Sequence, residues 1–154
     1  MQEIQQTIGR QLIAGKIAEV VAPAKELFEL QKHQRGESHW QTVDARWRYE
    51  TLQRLVVVPR EVQEQFLKAI QIDGKGGNAY SGGRYAEAQA LYREALEIRH
   101  RILGADHPYT ADSYYNVAST LDSQGKSAEA EAMFRRVLAM TIKALGDDHP
   151  PHRR

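Results

Sequence analysis

Two stretches of this chain repeat each other at a fixed distance. Gly83-Arg84-Tyr85-Ala86-Glu87-Ala88 opens the first, and Leu103-Gly104-Ala105-Asp106-His107-Pro108 closes it. Gly125-Lys126-Ser127-Ala128-Glu129-Ala130 and Leu145-Gly146-Asp147-Asp148-His149-Pro150 mark the second. Every landmark moves by 42 residues: 83 to 125, 104 to 146, 108 to 150. A pair of helices of that length cannot bury its apolar face alone. The period therefore predicts stacked helical hairpins in which each unit covers its neighbour.

An earlier copy is displaced by 68 residues. Gly15-Lys16-Ile17-Ala18-Glu19 matches Gly83-Arg84-Tyr85-Ala86-Glu87. Glu26 falls on Glu94, Gly36 on Gly104, His39 on His107, Thr42 on Thr110 and Asp44 on Asp112. Since 68 is not a multiple of 42, the unit between the copies is shortened or damaged. The apolar spacing predicts helices over 2–14, 41–56, 84–102, 108–123 and 127–145. Pro23 should kink the second helix of the first hairpin or delay its start. From Arg60 a further helix is expected, with Gly74-Lys75-Gly76-Gly77 interrupting it, at about 1 kcal/mol per glycine relative to alanine. Val56-Val57-Val58 before Pro59 reads as a helix end rather than a strand. The division that follows is 1–40 for a divergent first hairpin, 41–68 for a degenerate unit, then 69–107 and 108–150 for two full units. Residues 151–154 form a tail, the start of a further unit or an artificial end.

Composition narrows the function classes. The 154 residues carry a net charge of +1, from 21 Lys and Arg against 20 Asp and Glu. That is no footprint for nucleic acid or anionic membrane. Cysteine is absent, which removes disulfides, thiolate chemistry and Cys-ligated zinc. No apolar run has the length of a membrane span, and the N-terminus lacks the basic start and apolar block of a signal peptide. A soluble, cytoplasmic chain is expected.

No pattern demands catalysis or a cofactor. His39, His107 and His149 fall a repeat or more apart in equivalent loops, which suits caps better than a metal site. Gly74-Lys75-Gly76-Gly77-Asn78 resembles a phosphate loop, but the Gly-Lys-Ser/Thr ending is missing. Glycine permitting tight helix packing is the preferred account, with nucleotide binding at Gly74–Asn78 ranked last. Trp40 and Trp47 read as packing residues. No catalytic residues, metal or cofactor are expected.

The repeated residues resemble the tetratricopeptide repeat, in the 42-residue form found in kinesin light chains. The resemblance is carried by Gly83–Ala88, Tyr92, Ala95 and Leu96, then by Leu103–Ala118. It implies an all-α fold, a right-handed α-solenoid of antiparallel helix hairpins with about seven helices. Ala88 and Ala95 allow close helix approach, while Tyr85, Tyr92 and Phe134 fill the space between hairpins. The resemblance also implies a concave groove that binds peptide segments, and hence a non-enzymatic adaptor. Asn116 matches the asparagine that contacts ligand backbone in many members. Asp112, Tyr115, Ser119 and Asp122 share its face, and Asp73, Gly77 and Tyr80 occupy comparable places one unit earlier. Members that clamp a terminal carboxylate carry lysine where Asp73 stands and asparagine where Gly77 stands, so a basic or neutral peptide is expected instead. The alternative is a scaffold or self-association segment, dimerising through the apolar face of the last helix.

Overall fold

The computed structural model describes residues 1–145, and these form seven α-helices with no strand among them. They are α1 (Gln2–Ile13), α2 (Ile17–Arg35), α3 (Trp40–Val57), α4 (Arg60–Ser81), α5 (Tyr85–Leu103), α6 (Pro108–Ser123) and α7 (Ser127–Leu145). Two compact units are present, Met1–Leu67 and Lys68–Ala144. His149, Pro150 and the tail lie outside the described residues.

In the first unit α2 packs against both α1 and α3. Its core holds Ile8, Ile17, Val20, Ala24 and Leu27, with Ala45, Leu52, Leu55 and Phe66. Phe28 stacks on Tyr49 with ring centroids 6.4 Å apart. In the second unit α5 packs against α6. One cluster there joins Ala79, Ala88, Tyr92, Val117, Leu121 and Ala130, and another joins Ala69, Ile72, Ala95 and Ile98.

The displacement of 68 is visible in backbone geometry as well as in sequence. Gly15 and Gly83 turn the chain between paired helices at φ 77° and 73°, a left-handed conformation that strains any residue with a Cβ. Gly36 and Gly104 end the following helices, their N–H groups donating to the Lys32 and His100 carbonyls. His39 and His107 then start α3 and α6 in the same way. Their Nδ1 atoms accept from the backbone N–H of Gln41 at 3.2 Å and of Tyr109 at 3.1 Å. Each imidazole thus satisfies one of the unpaired amides of a helix start, the role usually filled by Ser or Asp. Pro108 occupies the first turn of α6, where its missing donor costs nothing.

The glycine expectation changes, and of the two readings of Pro23 one is removed. Pro23 does not delay its helix: α2 begins at Ile17 and contains the proline. α4 runs unbroken through Gly74, Gly76 and Gly77. The reason lies in packing at one of the three. A Cβ on Gly76 would stand 2.8 Å from the ring of Tyr92, so the bare backbone is what lets the aromatic ring lie against α4. The ring itself is only 8% exposed. Apolar contact with a large ring offsets the entropic cost of glycine in a helix. The same continuity removes the phosphate loop. Backbone N–H groups of Gly74–Asn78 lie inside a helix and are turned to its own carbonyls rather than to an anion. Tyr85 also differs from expectation. It is half-buried, edge-on to Tyr80 at 5.3 Å, and it is Tyr92 that sits in the core.

The glycines are separable by substitution. Gly74→Ala meets nothing within 4 Å and should raise stability by up to about 1 kcal/mol through helix propensity. Gly76→Ala must displace the Tyr92 ring and should cost about 1–3 kcal/mol. Thermal unfolding checks both, and a Gly76→Ala variant that melts no lower than the parent would refute the packing account.

Candidate functional site

The candidate site is built on α6, whose start is fixed in three ways. His107 caps it, Pro108 opens it, and the Thr110 hydroxyl donates to the Gly104 carbonyl at 2.8 Å. Its end is also tied. Tyr80 OH and Ser123 Oγ are hydrogen-bonded at 2.9 Å, and Gln124 Nε2 donates to Gln89 Oε1 at 2.8 Å. The helix is therefore held at both ends by neighbours on α4 and α5, which fixes its rotation.

That rotation sorts its side chains. Thr110, Ala111, Ser113, Val117, Ala118, Thr120 and Leu121 are buried. Asp112 and Asp122 are exposed, and Tyr115, Asn116 and Ser119 are half-buried. The five sequence-predicted residues recur at intervals of three and four and so lie along one side of the helix. Tyr115 also leans on Phe134 of α7, with centroids 5.5 Å apart. The Ser127 hydroxyl donates to Asp122 Oδ1 at 3.3 Å. The stripe offers carboxylate, amide, hydroxyl and phenol groups together, suited to hydrogen-bonding a peptide backbone.

Of the three residues assigned to α4, Tyr80 and Asp73 part company. Tyr80 joins the end of α6 through Ser123. Asp73 turns into a polar tie between three helices. Its Oδ2 is ion-paired with Arg99 Nη2 of α5, and Arg99 Nη1 donates to Ser113 Oγ of α6 at 2.6 Å. Ser113 in turn donates to the Tyr109 carbonyl at 3.1 Å. Asp73 Oδ1 and Arg99 Nε are buried with no hydrogen-bond partner among the described residues. Burial consequently pushes the Asp73 carboxyl above the ordinary carboxylate range, outweighing the pull of the Arg99 charge. The phenol of Tyr92 is likewise raised, by burial first and by the negative charge of Asp73 second.

Asp73 thus has its charge answered from inside the fold, which reduces the acidic character expected of the groove. A Cβ on Gly77 would make ordinary contact with the Tyr92 hydroxyl at 3.7 Å. Arg99 and Ser113 escaped the reading of the sequence. The signal for Arg99 is its position: Ala88, Tyr92, Ala95 and Arg99 follow one helical stripe, and a charge on an otherwise apolar stripe asks for a partner.

The pH consequence has a definite sign. A raised folded pKa means that the neutral form is favoured by folding. That contribution is complete below the unfolded value near 3.9 and is lost as pH rises through the folded value. Carbon-detected NMR should find the Asp73 midpoint above about 3.9. A midpoint at or below it would show that Arg99 dominates.

Among the described residues no helix is long and apolar enough to cross a membrane. In comparisons with known proteins, residues 68–143 match the family model of the tetratricopeptide repeat. No curated protein matches the chain.

Proposed function

We propose that this tetratricopeptide repeat protein binds a peptide or partner segment along the open side of α6. Tetratricopeptide repeats are a non-catalytic fold that generally mediates contact between proteins. The observation that carries the narrower reading is the division of α6. One side is packed into the hairpins, and the other presents Asp112, Tyr115, Asn116, Ser119 and Asp122. Asn116 sits at the middle of that stripe, where an amide can both donate to and accept from an extended backbone. Tyr80 extends the stripe at one end. The 42-residue spacing favours the kinesin-light-chain-like form of the repeat, and with it an adaptor role.

Asn116→Ala separates binding from folding. Alanine suits a helix better than asparagine, so the melting temperature should stay within a few degrees of the parent. Peptides selected on the parent from a displayed library should bind the variant at least tenfold more weakly by calorimetry, about 1.4 kcal/mol. An unchanged dissociation constant would remove Asn116 from the contact.

A second reading, self-association, has one observation in its favour. Leu138 and Ile142 of α7 are 44% and 42% exposed, while Val137 and Met140 are buried. Light scattering at high protein concentration should give the mass of a dimer under this reading. A strict monomer would eliminate it.

A further inference from the structure

Both imidazole caps depend on a lone pair. His107 Nδ1 accepts from the Tyr109 N–H at 3.1 Å, and His39 Nδ1 accepts from the Gln41 N–H at 3.2 Å. In a neutral imidazole one nitrogen carries the proton and the other accepts. Acceptance falls to Nδ1 here, so the proton sits on Nε2. In the imidazolium both nitrogens carry protons. A charged His107 would set N–H against N–H at the first turn of α6, and a charged His39 would do the same at α3. Ser and Asn, more usual at a helix start, keep their acceptor where an imidazole takes up its proton.

Two further features disfavour the cation. His107 is buried, and burial penalises charge. Each ring also stands at a helix N-terminus, where the aligned peptide dipoles present positive potential. The charges around His107 do not reverse this. His100 and Arg101 in the last turn of α5 are basic. Asp106, beside it in the loop, is paired with Lys143 of α7, and Asp73 of α4 is paired with Arg99 of α5. Asp112 stands further along α6. Around His39 the last turn of α2 supplies Lys32, His33 and Arg35. Lys32 holds Glu37, and on α3 Arg48 holds Asp44, with Arg46 between them in sequence. The rings of Tyr109 and Trp40 lie 5.3 and 5.8 Å from their histidines. They attract a cation but do not supply the lone pair that the amide loses.

We propose that His107 and His39 make the starts of α6 and α3 acid-sensitive, each helix being capped while its imidazole is neutral and uncapped once it is protonated. The device does not depend on what the open side of α6 binds. Its contribution to stability is complete above the unfolded imidazole value of about 6.5 and is lost as the pH falls below it. Asp73 works in the opposite sense, because folding favours its neutral form. The test compares the parent with a variant carrying His39→Asn and His107→Asn, since asparagine caps a helix and does not titrate. Between about pH 7.5 and about pH 5.5 the folding equilibrium constant from urea unfolding should drop about tenfold more in the parent than in the variant. The Asp73 contribution is common to both and cancels. Nitrogen NMR of the parent gives a second readout. At about pH 7.5 both rings should carry the proton on Nε2, and the Gln41 and Tyr109 amide resonances should move as the rings titrate. Should the variant not fold, the NMR titration decides alone. Equal acid losses in parent and variant, rings protonated on Nδ1 at the higher pH, or amides indifferent to the titration would each overturn the proposal.

Discussion

The placement of one ring governs the second unit. Tyr92 lies on the bare backbone of Gly76, and Val117 and Leu121 of α6 close over it. The contact brings α4 and α5 together and gives α6 the surface on which it rests. The side of α6 that faces outward is fixed by what faces inward. Interiors are packed to crystal-like density, so a helix seated on such a surface has little freedom to rotate. That rotation decides which polar residues of α6 remain open.

Much of this was legible in the sequence because the repeat is written in residues with strict conformational roles. Glycines at 15, 36, 83 and 104 require left-handed backbone, and each has it. Histidines at 39 and 107 precede helices, and both cap them. The helix ends near Val57 and Ser123 follow from proline, glycine and apolar spacing. What stayed hidden depended on contacts between helices. Gly74, Gly76 and Gly77 look alike along the chain, and only the ring of Tyr92 gives Gly76 a packing role. Asp73 looked like a groove acid because its partner Arg99 is remote in sequence. The family match covers 68–143 and leaves the first 67 residues unmatched, although the same turns and caps recur there. Their side chains have drifted while the backbone signals have stayed.

The polar tie of the second unit illustrates that drift. Asp73, Arg99 and Ser113 correspond to Gln5, Gln31 and Ala45 in the first unit. There Gln31 accepts from Arg35 on its own helix at 2.9 Å, and no charge is buried at the equivalent place. A buried ion pair contributes uncertain stability but resists mispairing, because either partner left alone is costly. The second unit has added a polar lock that the first one does without.

The pair Gly76 and Tyr92 has its own counterpart 68 residues earlier, in Ile8 and Ala24, each 1% exposed. Where the second unit has a glycine and a large ring, the first has a large aliphatic residue and a small one. Grafting α1 in place of α4 would drive isoleucine into tyrosine, and the reverse graft would leave glycine and alanine with a void between them. Recombination within this chain must move both helices of a hairpin together, which makes the hairpin, rather than the helix, its heritable module.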